Sequence, residues 1–208
     1  MLQIKAVEPH TFSILKELMT IPELLNFSLV GGTALSLLYG HRMSIDLDLF
    51  SNKAFQNISV TEALKNRFQD KFVMEEKQAK FGIFCYIEEV KVDIIRHPHL
   101  IIRPETTLED LRMFSVEDII AMKVQAILGR GKKKDFWDIA ELLQHFSIKE
   151  FIQFHKEKYA TQNLLITVPQ AITYFADAEE SEAPISLKNQ TWQNVQEFIQ
   201  KKVRDYLK

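Results

Sequence analysis

One cysteine in 208 residues, Cys85, is too few for an internal disulfide, and no Cys cluster is available to hold zinc. Charge of one sign is lacking too: 26 basic residues stand against 28 acidic ones, a formal net charge of -2. That balance excludes a globally basic nucleic-acid coat, so any polyanion must bind at a local patch. The uncharged stretch over residues 24–40 is short for a membrane span and is broken by Asn26, Ser28, Gly31, Gly32, Thr33 and Ser36. The opening Met1-Leu2-Gln3-Ile4-Lys5 lacks the basic-then-apolar order of a signal peptide. No repeat or low-complexity tract occurs. What is present is 46% hydrophobic and 11% aromatic residues, enough for a core and too apolar for a disordered chain. The expectation is a cytoplasmic globular protein with no membrane part.

Local patterning comes next. Phe12, Leu15, Leu18 and Met19 recur at helical spacing, with Pro22 closing the segment. Residues 27–30 read as a short strand, Gly31-Gly32 as a turn, and 33–39 as a helix ended by Gly40. Residues 44–50 alternate, with Ile45, Leu47 and Leu49 on one face and Asp46, Asp48 and Phe50 on the other, which predicts a strand. Ser59-Val60-Thr61-Glu62 is a capping-box pattern for a helix to about Asp70. Strands are expected over 72–76, 82–88 and 90–95. Past the loop around Pro98 and Pro104, helices are expected over 115–128 and 134–145, from Ser147, and from beyond Tyr159 through Tyr174. A last helix carries the stripe Trp192, Val195, Ile199, Val203 and Tyr206. This order predicts an α+β protein: a mixed sheet with helices over 1–104, then a helical bundle lobe over 105–208.

The chemistry lies in carboxylates. Asp46 and Asp48 stand two apart on one expected strand face. Asp93 shares the outward face of another strand with Lys91 and Ile95. If those strands are neighbours, three carboxylates converge, and such a cluster repels itself unless a divalent cation, usually Mg²⁺, sits among the oxygens. Two-metal phosphoryl chemistry uses that arrangement. Charged residues on alternating strands face water by default, so weight comes from Gly31-Gly32-Thr33, between a strand and a helix. There backbone N–H groups can approach a phosphate. Lys123 falls on the apolar stripe Ile120, Val124, Ile127, either snorkelling at the core edge or aimed into a cleft. Asp135 and Asp138 lie i, i+3 near a helix start, where their charge complements the macrodipole. Arg130, Lys132, Lys133 and Lys134 form a dense basic run, either a solvated loop or a hold for phosphates or RNA. Arg42 is another phosphate candidate. His97 and His99 flank Pro98 without a third ligand nearby, and Cys85 with residues 81–87 reads as core.

Residues 27–35 and 40–50 resemble the AbiEii/AbiGii toxin family of nucleotidyltransferases, within the DNA polymerase β-like superfamily. The superfamily pattern is a Gly-Gly or Gly-Ser turn, a helix, Asp-x-Asp, and a third carboxylate on a later strand; Thr33 stands where many relatives have Ser. The family's Lys-x-Asp is matched by Lys91-Val92-Asp93, its helical Lys by Lys123, and its Asp-x-x-Asp by Asp135-Phe136-Trp137-Asp138. The resemblance implies a Mg²⁺-dependent transferase with two ions and an NTP substrate. Asp46, Asp48 and Asp93 would hold metal, with Asp93 also activating the acceptor hydroxyl. Gly31, Gly32 and Thr33 would cradle the triphosphate, Lys123 and Arg42 would balance its charge, and Asp135 would orient Lys123 or Arg42. It further implies a toxin whose acceptor is the 3′ end of a tRNA, reached by the basic run, and a cognate antitoxin. Rival readings are transfer to a small molecule or protein hydroxyl, and a non-catalytic nucleotide- or RNA-binding module.

Overall fold

The computed structural model describes residues 1–76 and 79–208. Helix α1 (Pro9–Leu18) leads into strand β1 (Ser28–Val30), which passes directly into helix α2 (Gly31–Tyr39). Gly40 ends α2 in the left-handed region at φ 60°. Strand β2 (Leu47–Ser51), helix α3 (Asn57–Phe68) and strands β3 (Phe72–Met74), β4 (Gly82–Ile87) and β5 (Val90–Arg96) follow, then the hairpin β6 (Thr106–Leu108) and β7 (Leu111–Met113). The rest is helical: α4 (Val116–Gly129), α5 (Lys133–Leu142), α6 (Ile148–Lys158), the short α7 (Val168–Ile172) and α8 (Trp192–Tyr206). No described helix is long and apolar enough to cross a membrane.

The strands form one seven-stranded mixed sheet in the order β3-β4-β5-β2-β1-β7-β6. β2 runs parallel to β5 and β1 parallel to β7, while the other pairs are antiparallel. The β2–β5 register sets Leu47 opposite Val92, Asp48 opposite Asp93 and Leu49 opposite Ile94. Because side chains alternate, the four aliphatic residues are buried together and the two aspartates share the other face. α4 packs on α5 and α6, and α5 on α8. Asp118, at the start of α4, fastens the crossing from β5. Its buried carboxylate accepts from the backbone N–H groups of Ile102 and Arg103, each at 3.1 Å, from Ser115 Oγ at 2.8 Å and from Lys158 Nζ at 2.6 Å.

The α+β class and most elements agree with the sequence pattern, and the departures have local causes. The expected strand over 44–50 starts only at Leu47, and Ile45 is exposed. The backbone before it is committed elsewhere: Ser44 N–H donates to Ala6 O at 2.9 Å, and Met43 N–H to Ile185 O at 2.8 Å. The capping box at Ser59 does not form, since α3 begins upstream at Asn57. The helix expected from Tyr159 to Tyr174 shrinks to α7, whose own Thr167–Gln170 box starts it late. The β6–β7 hairpin was not expected, and it carries the sheet to Met113, past the 104/105 division. Phe81 is exposed rather than core, whereas Cys85 is buried, with its thiol pushed up to about 12 by burial and so unreactive.

The β4–β5 and β6–β7 turns share an unusual chemistry. Glu88 and Glu89 have φ 47° and 72°, and Glu109 and Asp110 have φ 49° and 63°. Two-residue hairpins want this left-handed backbone, normally supplied by Asn-Gly, and acidic side chains adopt it at a cost. Without that Asn-Gly signal, the β6–β7 hairpin is hard to see in the sequence. Glu89 is exposed and makes no ion pair among the described residues, so Glu89→Gly should raise the urea unfolding free energy by about 0.5–1 kcal/mol. An unchanged midpoint would show that the strain is absorbed elsewhere.

Candidate active site

β1 delivers the chain to Gly31 at φ 71°, and α2 starts there without a side-chain cap. Its first N–H groups are therefore unsatisfied by any cap and form a positive end. Gly31 suits its positive φ, and both glycines lie in crowded positions. A Cβ on Gly31 would lie 2.7 Å from Asp48 Oδ2, and one on Gly32 would lie 2.0 Å from Arg42 Nη2. The helix end thus sits directly against a carboxylate and a guanidinium.

A cavity of about 320 Å³ opens here, lined by Gly32, Thr33, Asp46, Asp48, Asp93, Lys123, Asp135 and the cations Lys91, Arg130, Lys132 and Lys134. Asp48 and Asp93 stand side by side on the floor. Burial first, and then the Asp93 charge, pushes the Asp48 carboxyl up to about 6, against the pull of Lys123 and Lys134. Asp93 accepts from Lys91 Nζ at 3.0 Å through Oδ2, while its buried Oδ1 has no partner among the described residues. Asp46 does not complete a triad. It lies just before β2, and Lys134 Nζ holds its Oδ2 at 2.9 Å. No group of three or more His, Cys, Asp or Glu among the described residues is gathered closely enough to hold a metal ion. Thr33 uses its hydroxyl to fix the loop, donating to Asp46 O and sharing a hydrogen bond with Ser44 Oγ at 2.8 Å.

Behind the cavity, Asp138 gathers the remaining charges. Its Oδ1 accepts from His41 Nε2 at 2.8 Å and Arg42 Nε at 2.7 Å, and its Oδ2 from Arg42 Nη2 at 3.0 Å and Lys123 Nζ at 2.6 Å. Burial works to raise the Asp138 pKa, but Arg42, then Lys123 and the hydrogen bonds, hold it well below the usual carboxylate range. For Lys123 burial works downward, and Asp135 and Asp138 together carry it above its ordinary value. Asp135 receives Lys123 Nζ at 2.9 Å and the N–H of Lys132 at 3.2 Å.

Of the expected site residues, Gly31, Gly32, Thr33, Arg42, Asp46, Asp48, Asp93, Lys123, Arg130, Lys132, Lys134 and Asp135 surround or adjoin this cavity. Lys133 does not. Its Nζ bonds Glu179 O at 2.9 Å and lies over the Trp192 ring, on the opposite side of α5. Arg42 is buried and committed to Asp138 by two bonds rather than free for a phosphate. Sequence reasoning saw Asp138 only as a motif member and missed its hub role. His41 and Ser44 carried no signal beyond adjacency to Arg42.

An uncapped helix entering from a strand, with paired carboxylates on the next two strands and cations from a helical half facing them, defines a protein of the nucleotidyltransferase class. The family model described as "Nucleotidyl transferase AbiEii toxin, Type IV TA system" matches residues 13–206, and the chain belongs to that toxin–antitoxin nucleotidyltransferase family. The match includes the last sixty residues, beyond the motifs read from the sequence. An uncharacterised protein of Aquifex aeolicus (strain VF5) is 31% identical over 188 residues, covering 88% of each chain. A crystal structure of a candidate nucleotidyltransferase from H. pylori superposes with TM-score 0.57 at 17% identity, over 97% of this chain and 99% of that one. MenT4, a nucleotidyltransferase toxin from Mycobacterium tuberculosis H37Rv, gives 0.56 at 13% identity, over 94% and 85%. At those identities the two structures speak for the fold.

Two stability predictions follow from these charges. Asp138→Asn should cost about 3–5 kcal/mol at pH 7, because Arg42 and Lys123 stay buried with their counter-charge gone. Asp138 is depressed in the native state, so its contribution is present above the unfolded carboxylate pKa and is lost as pH falls through the native one. The variant should therefore show a flatter acid limb in urea titrations. Asp48 has the opposite sign. Its raised native pKa means that ionisation destabilises the fold as pH climbs from about 4 to 6, so metal-free Asp48→Asn should melt higher than wild type at pH 7 and nearly equal to it at pH 4.

Proposed function

We propose that this nucleotidyltransferase moves a nucleotide from an NTP to an acceptor hydroxyl in a Mg²⁺-dependent reaction. We further propose that the acceptor is the 3′ end of a tRNA and that a cognate antitoxin restrains the enzyme in the cytoplasm. The observation that carries the reading is the register of Asp48 against Asp93 beside the uncapped start of α2. The fit to a hard divalent cation rests on two features. Among the described residues, Asp93 Oδ1 is buried without a partner and the Asp48 carboxylate makes no hydrogen bond or ion pair. Asp48 and Asp93 would hold the ion, with Asp46 joining when Lys134 gives up its carboxylate. Bound there, Mg²⁺ supplies charge neutralisation on the phosphates.

The chain's own groups do the rest. The first N–H groups of α2 donate to phosphate oxygens, as helix starts do. Arg130, Lys132 and Lys134 face the cleft as cations, and Lys123 with Arg42 keeps its rear wall from being acidic. Asp135 and Asp138 hold Lys123 in place. Asp93 takes the acceptor's proton as the acceptor oxygen bonds to the α-phosphorus. The bond from that phosphorus to the bridging oxygen breaks, and pyrophosphate leaves. In this reading the sheet half brings the carboxylates and the helical half the cations.

The test is to incubate the protein with each labelled NTP and total RNA and identify the species that gains label. Asp48→Asn should reduce transfer by about 10³-fold or more while the protein still melts cooperatively. If RNA is the acceptor, its affinity should fall steeply with salt. Replacing Arg130, Lys132 and Lys134 with Ser should flatten the log–log slope by roughly 0.7 to 0.9 per contact. Lys133→Ser, which removes a lysine turned away from the cleft, should leave the slope alone. Label on a small molecule or protein, with no salt-dependent RNA retention, would give the acceptor to the rival reading.

A further inference from the structure

Beside the charged cleft lies a larger chamber of about 540 Å³ with different walls. It shares Arg42, Ser44, Asp46, Lys132 and Lys134 with the cleft, but its own surface is Met43, Ile45, Ala183, Pro184, Ile185 and the carboxylate of Glu182. Ile45 and Ile185 are 61% and 70% exposed, so two large aliphatic side chains are presented to solvent beside a site for polyanions. Glu182 makes no recorded hydrogen bond or ion pair among the described residues. The wall is held firmly. Met43 N–H donates to Ile185 O at 2.8 Å, Leu187 N–H to His41 O at 3.0 Å, and Lys133 N–H to Ser181 Oγ at 2.8 Å. A stretch of irregular backbone is thereby fixed to both the loop before β2 and the start of α5.

The geometry points to this chamber as the site for the nucleoside part of the donor NTP, with Ile45, Pro184 and Ile185 against the base and Glu182 accepting from its N–H groups. This rests on the transferase reading above. The aliphatic walls suit a planar base, whereas the cleft, lined by charges, suits phosphates. Lys132 and Lys134 line both spaces and can follow one ligand from its base side to its phosphate side. The chamber opens on the side of Arg42 and Ser44, which adjoin the first turn of α2, and it shares no residue with Asp48, Asp93 or Lys91. An acceptor activated by Asp93 would come from the other side of β2. The donor is therefore the occupant that this placement favours.

Equilibrium dialysis of the full chain with Mg²⁺ tests the assignment, using ATP, GTP, CTP and UTP against inorganic tripolyphosphate, with no acceptor present. Wild type should bind at least one NTP more tightly than tripolyphosphate. Ile45→Ser with Ile185→Ser, both at exposed positions, should weaken NTP binding by about tenfold and leave tripolyphosphate unchanged. Glu182→Gln should change the order of preference among the four NTPs. An unchanged NTP-to-tripolyphosphate ratio in the double variant overturns the assignment while sparing the transferase reading. In a separate titration with total RNA, weakened RNA binding by the double variant alongside unchanged NTP affinity also overturns it, giving the chamber to the acceptor. A wild type that binds neither NTP nor tripolyphosphate overturns both readings.

Discussion

The buried carboxylate of Asp138 is the interaction on which the site depends. It sits on α5, yet its four hydrogen-bond donors come from the loop after α2 and from α4. One side chain thereby ties the sheet-bearing part of the chain to the helical part at the back of the cleft. Burying an acid with two cations is expensive, and the arrangement holds because each oxygen accepts two donors and both partners are themselves buried. Arg42 then passes so close to α2 that a side chain at position 32 would displace its guanidinium. A helix–helix contact thus reaches the Gly-Gly turn through a guanidinium.

The floor of the cleft carries the opposite tension. Asp48 and Asp93 face each other in register, burial and then their repulsion raise the Asp48 pKa, and of the two only Asp93 has a lysine of its own. Asp138 spends the charges of Arg42 and Lys123, so the cations left facing the cleft are Lys91, Arg130, Lys132 and Lys134. The rear wall is therefore near neutral, and the attraction for polyanions lies at the rim.

Much of this was legible from the chain alone. Period-two alternation located β5 and the inward face of β2, glycine spacing located the strand-to-helix turn, and four short motifs named Asp48, Asp93, Lys123 and Asp135 without any coordinates. Less legible were features whose cause lies far away in sequence. Ser44 to Asp46 look like strand, but the Ser44 backbone bonds Ala6 and Glu8, and Met43 before it bonds Ile185, and so Asp46 stands outside β2. The basic run looked like a single patch, but the turn of α5 points Lys133 to Glu179 and Trp192 while Lys132 and Lys134 face the cleft.

The sequence by itself determined the α+β class, the family, and the residue types of the site, because local periodicity and motif spacing are properties of neighbouring residues. Which strands pair, that Asp138 rather than Asp135 is the hub, that Arg42 is sealed rather than open, and that residues 181–187 wall a chamber beside the cleft were decided only by the tertiary structure. Each of these joins positions tens of residues apart through burial and hydrogen bonding, and no local pattern encodes such a distance.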